Sequence, residues 1–135
     1  MEGGCYCGAL RYRVEGKPLF KAQCHCRECQ YISGGGPNFY MVMPEGSLHY
    51  TQGTPARFSR ADLDAPVTRE FCATCGTHIL TLRTDMPFTI LKIGTLDAPD
   101  VEYRAPKMAI YTKDKQDWHV IPDDMPCFEG LPPRR

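Results

Sequence analysis

The sequence has no long apolar run, no excess of charge of either sign and no recognisable leader. No segment of its 135 residues approaches the roughly 18 consecutive apolar residues of a membrane-spanning helix. The first ten residues, MEGGCYCGAL, lack the positive charge and apolar run of a secretory signal. Lys plus Arg and Asp plus Glu both number 16, which argues against nucleic acid or a membrane surface as a partner. We therefore expect a soluble, cytoplasmic protein.

Helical patterns are also scarce. No stretch of about 12 residues carries an apolar stripe at helical spacing, whereas alternation with a period of two recurs along the chain. The alternating or β-rich segments are LRYRVE, FYMVM, LHYTQ, TREFC, HILTLR, FTILKIG and MAIYT. Short helical turns are expected only after Cys29 and around KDKQDW, which starts at Lys113. The length suits one domain, so we predict a single all-β domain over residues 1–135.

Cysteine, in contrast, is abundant. Seven of the eight cysteines fall into three tight clusters, and the eighth, Cys127, stands alone. Without a secretory signal, clustered thiols indicate metal binding or catalysis and not a disulfide framework. The three clusters are Cys5-x-Cys7, Cys24-x-Cys26-x-x-Cys29 and Cys72-x-x-Cys75.

Two of these clusters together supply four ligands. Cys5 and Cys7, if they lie on a strand, point to the same face and can reach one ion. The segment CATCGT is typical of a zinc-ribbon knuckle, because Gly76 tolerates the backbone conformation that follows the tight turn. We therefore predict a closed structural zinc site formed by Cys5, Cys7, Cys72 and Cys75.

The remaining cluster offers three thiolates, which is one ligand fewer than a closed zinc site requires. Three protein ligands and an open fourth position are typical of catalytic zinc. Such an ion could deprotonate an incoming thiol or polarise a small carbonyl. Two alternatives stay open: His25, His78 or Cys127 completes a second structural site, or the clusters pair differently. The three predicted ligands of the open site are Cys24, Cys26 and Cys29.

The order of the segments GGCYCGALRYRV, QCHCRECQYISGG, REFCATCGTHI, IGTLD and WHVIPDDMPCFEG resembles the glutathione-dependent formaldehyde-activating enzyme family, which also includes centromere-protein-V-like proteins. The resemblance extends from Gly3 to about Pro132. It implies coiled antiparallel sheets, a β-tent, with zinc-ribbon-like knuckles. It also implies a structural zinc on the four cysteines and a catalytic zinc on the three, in agreement with the spacing.

The activity implied by the resemblance is the formation of S-(hydroxymethyl)glutathione from glutathione and formaldehyde, which is a carbon–sulfur lyase reaction in reverse. The expected partners are therefore a small thiol such as glutathione and a small aldehyde. The amides of Gly34 to Gly36 and the side chain of Arg27 are candidate contacts for the glutathione carboxylates. We expect Trp118 to lie in the core, and no general acid is identifiable.

A second hypothesis is a zinc-scaffolded interaction module without catalytic activity. Such a module requires only the four-cysteine site. The number of bound metal ions therefore distinguishes the two hypotheses.

Overall fold

Short strands form most of the regular structure in the computed structural model, which describes residues 1–133. In chain order the strands are β1 (Glu2–Gly4), β2 (Arg11–Val14), β3 (Phe20–Cys24), β4 (Asn38–Pro44), β5 (Leu48–Gln52), β6 (Ala56–Phe58), β7 (Thr68–Phe71), β8 (His78–Leu82), β9 (Phe88–Lys92) and β10 (Ala109–Ile110). The α-helices are α1 (Arg27–Ser33) and α2 (Pro99–Glu102), and 3-10 turns cover Ile93–Thr95 and Thr112–Asp114. The all-β prediction is confirmed, whereas the domain boundary stays a prediction whose last two residues lie outside the described range.

The strands pair into two sheets. A three-stranded sheet has the order β1-β2-β5, and a seven-stranded sheet has the order β10-β3-β4-β9-β8-β7-β6. All neighbours are antiparallel except β10 and β3. The described part of the chain contains no helix that is long and apolar enough to cross a membrane.

The main core lies between the two sheets. Buried side chains of β2 meet one face of the seven-stranded sheet, to which β4, β8 and β9 contribute. The contributing side chains include Tyr12, Val14, Met41, Met43, Leu80 and Leu91. Tyr103, which follows α2, donates its hydroxyl proton towards the carbonyl oxygens of Tyr40 and Ala22, at 3.0 and 3.3 Å. Burial of these apolar side chains is the main contribution to the stability of the sandwich.

The opposite face of the seven-stranded sheet carries a different set of side chains. Residues paired across neighbouring strands lie on the same face, so the register Ala22–Tyr40–Lys92 places these three side chains together. Cys24 lies two residues beyond Ala22 on the same face, and its strand partner on β10 is Ile110. Further along the sheet, the pairs Ile90–Thr81, Thr81–Arg69 and Arg69–Phe58 continue this face.

The predicted strands agree with β2, β4, β5, β7, β8, β9 and β10, although the MAIYT segment contributes only two residues. Three strands have no counterpart in the prediction: β1, β3 and β6. The first expected helical turn is a helix that begins before Cys29, at Arg27, and the second is the 3-10 turn at Thr112–Asp114.

Gly53 provides a direct test of the packing between β5 and the turn that contains Cys7. Its φ is 76°, and a Cβ at this position would lie 2.4 Å from the carbonyl oxygen of Ala9. We expect Gly53→Ala to lower the melting temperature by about 5 °C or more, since steric overlap and a left-handed backbone together cost roughly 1–3 kcal/mol. The matched control is Gly94→Ala, where no atom lies within 4 Å of the added carbon. Equal melting temperatures of the two variants would contradict this packing.

Candidate metal centres

The segment from Cys72 to Thr77 forms a tight turn that presents two sulfurs on one side. The amide N–H of Cys72 donates to the carbonyl oxygen of Thr77 at 2.9 Å, and the Gly76 N–H donates to the carbonyl oxygen of Cys72 at 2.8 Å. Cys72 Sγ accepts hydrogen bonds from the amides of Thr74 and Cys75, both at 3.4 Å. Gly76 has a φ of 79°, a left-handed conformation that glycine adopts readily, in agreement with its predicted role after the turn.

Cys5 and Cys7 form a second turn of the same kind, which corrects the prediction that they lie on a strand. Strand β1 ends at Gly4, and the Gly8 N–H donates to the carbonyl oxygen of Cys5 at 3.1 Å. The amide of Leu10 donates to Cys5 Sγ at 3.2 Å. The two sulfurs therefore converge because the chain turns back on itself, and not because strand residues alternate.

The two turns meet face to face. Cys5 Sγ lies 3.6 Å from Cys7 Sγ, and Cys7 Sγ lies 3.8 Å from Cys72 Sγ. All four sulfurs, including that of Cys75, lie within 4.8 Å of one another. A tetrahedron with Zn–S bonds of about 2.3 Å has edges of about 3.8 Å. The four sulfurs therefore fit a tetrahedral zinc ion.

Burial within this set is uneven. Cys5 and Cys72 belong to the core between the sheets, whereas Cys7 and Cys75 are exposed. The side-chain and backbone hydrogen bonds of Thr77 lower the pKa of Cys75 to about 5, so a thiolate is present at neutral pH. Metal binding at this position therefore requires little deprotonation.

The remaining three sulfurs lie at the junction of β3 and α1. Cys24 is the last residue of β3 and is buried, whereas Cys26 and Cys29 are half-buried. Cys26 is the N-cap of α1, where its Sγ accepts the amide N–H of Cys29 at 3.4 Å. The three sulfurs lie within 4.8 Å of one another, and Asn38 Nδ2 donates to Cys29 Sγ at 3.8 Å.

Hydrogen bonding decides where a negative charge resides among these three sulfurs. Hydrogen bonds from Cys24 and Cys29, together with nearby amides, lower the pKa of Cys26 to about 2. The pKa of Cys24 is raised by its hydrogen bonds with Cys26 and Cys29 and, after these, by its burial. A metal cation at this position would relieve the mutual repulsion of three thiolates.

None of the three residues considered as a fourth ligand joins this set. His25 Nε2 lies 3.0 Å from Gln23 Nε2, and its Nδ1 lies 3.0 Å from His119 Nδ1. His78 Nε2 is 3.1 Å from the carbonyl oxygen of Leu80. Within residues 1–133, no histidine, cysteine or carboxylate completes the group.

His25 instead belongs to a buried polar network whose proton positions can be deduced. The backbone N–H of Gln116 donates to His119 Nδ1. The His119 proton therefore lies on Nε2, which donates it to the carbonyl oxygen of Gly35 at 3.0 Å. His25 must then donate from Nδ1 and accept from Gln23 at Nε2. Burial lowers the pKa of His25 to about 4, which keeps the ring neutral. This network holds in place the segment of residues 24–29, which carries the set of three cysteines.

A cavity of about 510 Å³ opens over the three sulfurs. Its floor is the face of the seven-stranded sheet described above, and its walls come from α1 and from the loops near residues 65, 84 and 113. Five cationic side chains line it, namely Arg27, Arg69, Arg83, Lys92 and Lys113. Three carboxylates, those of Glu28, Asp85 and Asp114, also line it, so cations are in excess and the cavity favours an anionic or strongly polar ligand.

Most of these cations already have partners. Arg69 pairs with Glu28 at 2.9 Å, and Arg83 pairs with Asp85 at 2.7 Å. Arg27 donates to Gln30 Oε1 and stacks on the ring of Tyr31. Burial lowers the pKa of Lys92 to about 8. Sequence reasoning missed Lys92, because a lysine near the end of a strand ordinarily faces water.

Two expectations about the surroundings of the cavity are wrong. The glycine-rich loop does not offer its amides to a ligand: Gly34 and Gly35 both donate to the carbonyl oxygen of Gln30 at 2.9 Å, and Gly36 donates to Ser33 Oγ at 3.1 Å. These amides cap the C-terminus of α1. Trp118 is 67% exposed and donates from Nε1 to the carbonyl oxygen of Gly35, so it does not pack in the core.

Comparison with known proteins agrees with this arrangement. The family model described as glutathione-dependent formaldehyde-activating enzyme matches residues 1–114. A protein of Halomonas elongata named "Putative glutathione-dependent formaldehyde-activating enzyme" is 26% identical over 141 residues, covering 98% of this chain and 88% of that protein. A crystal structure of a Rhodobacter sphaeroides protein has a TM-score of 0.58 at 22% identity, over 72% of this chain and 88% of that one. The crystal structure supports the fold alone.

Substitution of single cysteines tests the different placement of the two sets. We expect Cys72→Ser to lower the melting temperature by about 10 °C or more, roughly 3 kcal/mol for a domain of this size, because Cys72 is 2% exposed within the core. Cys26→Ser should leave the fold intact and remove only the metal of the three-cysteine set. Thermal melts and elemental analysis measure both effects.

Cys127→Ser is the matched control for these two variants, since Cys127 is exposed and lies outside both sets. It should retain both the metal content and the melting temperature of the unaltered protein. If Cys26→Ser unfolds the protein as severely as Cys72→Ser, the three-cysteine set is part of the scaffold.

Proposed function

The chain belongs to the glutathione-dependent formaldehyde-activating enzyme family, and on this premise we propose that it is a zinc-dependent enzyme that forms or cleaves the adduct of a small thiol and an aldehyde. In reaction class it is a carbon–sulfur lyase. The leading substrate pair is glutathione and formaldehyde, in the manner of S-(hydroxymethyl)glutathione synthesis. Cys5, Cys7, Cys72 and Cys75 hold a structural zinc, and Cys24, Cys26 and Cys29 hold a catalytic one.

The observation that carries this proposal is the position of the three-cysteine set at the wall of a cavity. Cys26 and Cys29 are half-buried there, and all three cysteines line a space of about 510 Å³. Ligand pockets in proteins typically occupy roughly 300–1,000 Å³. None of the four cysteines of the other set lines this cavity. The placement of the three-cysteine set in a cavity of this size supports its assignment as the reactive site.

A zinc ion in the three-cysteine set would supply Lewis-acid chemistry and favour the thiolate form of a bound thiol. The chain itself contributes position and charge. The cations that line the cavity attract an anionic thiol such as glutathione, whose carboxylates suit the exposed Lys113. Holding the thiol and the aldehyde in one cavity raises their effective concentration, which is the main rate effect that we infer.

The interaction-module hypothesis is less well supported by these observations. A module of this kind requires the four-cysteine set only and leaves the cavity and its charged lining without a role. We therefore assign the activity to the cavity. We propose the cytoplasm as the compartment, because thiols stay reduced there.

The rate of adduct formation tests the proposal, because thiols and formaldehyde also combine without a catalyst. We expect the zinc-loaded protein to accelerate the exchange between glutathione, formaldehyde and their adduct, with saturation in glutathione. Cys26→Ser should return the exchange to the uncatalysed rate, because it removes one of the three ligands. Exchange NMR measures the rate, and calorimetry measures glutathione binding.

Cys127→Ser again serves as the control and should match the unaltered protein. Equal exchange rates for the unaltered protein and Cys26→Ser, together with no saturable glutathione binding, would remove the enzyme hypothesis and favour the interaction module.

A further inference from the structure

Lys92 is the least exposed of the cations that line the cavity, and no carboxylate in the described part of the chain pairs with it. Its side chain is only 9% exposed, and within residues 1–133 it forms no ion pair. Its Nζ lies 5.7 Å from the centroid of the Tyr40 ring, and its charge interacts favourably with the sulfurs of Cys29, Cys24 and Cys26. A buried ammonium group is costly unless it faces negative charge, and the negative charge that Lys92 faces is that of the cysteine sulfurs and of any anionic ligand bound beside them.

Strand register explains why Lys92 faces the sulfurs. Lys92 pairs with Tyr40 on β4, and Tyr40 pairs with Ala22 on β3, two residues from Cys24. The axes of β9 and β3 therefore lie roughly 10 Å apart, within the combined reach of a lysine side chain and a small ligand. Lys92 and the three cysteines line the same cavity.

We propose that the ammonium group of Lys92 is a catalytic group that hydrogen-bonds the oxygen anion of the thiol–aldehyde adduct while the sulfur of that adduct lies at the three-cysteine set. This inference rests on the proposed function and adds to it the group that stabilises the negative charge developing on the adduct oxygen. It also defines the class of ligand: a molecule with an oxygen anion one or two carbon atoms from a thiol sulfur.

The chemical step balances without any further reagent. The thiol releases its proton to water as the thiolate forms. A sulfur electron pair then forms the bond to the carbonyl carbon, and the π electrons of the C=O bond move to oxygen. Lys92 stays protonated and stabilises the resulting alkoxide, which takes its final proton from water. Cleavage of the adduct follows the same steps in reverse. Preorganised donors of this kind are typically among the largest contributions to such reactions.

The neighbouring cations are less suited to this role. Arg69 and Arg83 are held by Glu28 and Asp85, and Lys113 is exposed and lies over the ring of Tyr111. Lys92 therefore combines burial, absence of an ion pair and placement on the face that carries Cys24.

A comparison of two small thiols tests the inference without reference to turnover. Mercaptoacetate carries an oxygen anion two carbon atoms from its sulfur, whereas ethanethiol has the same chain length and no charge. By calorimetry, the zinc-loaded protein should bind mercaptoacetate about tenfold more tightly, a difference of about 1.4 kcal/mol. Lys92→Met should abolish this preference while its affinity for ethanethiol stays the same. Lys92→Arg, which keeps the charge, should restore part of it.

The same variants give a kinetic and a structural readout. Lys92→Met should lower the protein-dependent rate of adduct exchange by about 100-fold, with its zinc content and melting temperature retained. The control is Lys17→Met, since Lys17 is exposed and does not line the cavity over the three cysteines, and it should match the unaltered protein.

The outcomes separate this inference from the proposed function. If both thiols bind the unaltered protein and Lys92→Met keeps the preference for mercaptoacetate, the inference is wrong and the proposed function stands. If Lys92→Met loses zinc, Lys92 is a counter-charge to the thiolates and the inference is again wrong. If neither thiol binds the unaltered protein, both the inference and the proposed function are wrong.

Discussion

Strand pairing in the seven-stranded sheet determines which side chains meet over the three sulfurs. Lys92 and Leu91 are neighbours in β9, but Leu91 packs in the core and Lys92 faces the cavity. A slip of one residue would exchange them and bury an ammonium group among apolar side chains. The apolar residues on the core face, such as Met41 and Leu80, therefore fix the composition of the cavity on the other face. The register of strand pairing in the seven-stranded sheet therefore determines both the packing of the core and the side chains that line the cavity.

The two cysteine sets differ in what surrounds them, and this difference separates their roles. Cys5 and Cys72 are part of the core between the sheets, so a metal there joins the turn before β2 to the turn before β8. Cys24 belongs to a second buried cluster on the outer face of the larger sheet, where Cys26 and Cys29 are only partly covered. A metal bound at the outer set joins residues that are already close in sequence, and its loss leaves the link between the sheets unchanged.

Sequence reasoning succeeds where the determinants are local. The knuckle around Gly76 depends on six consecutive residues, and the cysteine spacing predicts the sets of four and three sulfurs that the fold brings together. It fails where a partner is remote: β3 was missed because Ala22, Gln23 and Cys24 are buried in succession, which hides any alternation. Strand β1 contains two glycines among its three residues and so carries little side-chain signal. The placement of Lys92 depends on Tyr40, about fifty residues away, and no local pattern contains that information.

The uneven exposure of the four-cysteine set has a consequence for the behaviour of the protein under oxidative stress. Peroxide or another small oxidant reaches the exposed sulfurs of Cys7 and Cys75 directly, while Cys5 and Cys72 are shielded in the core. With a metal bound as proposed, oxidation of one outer sulfur to a sulfenic acid would remove a ligand and so weaken the link between the inner sulfurs. Chemical damage at the surface would then be transmitted to the centre of the fold.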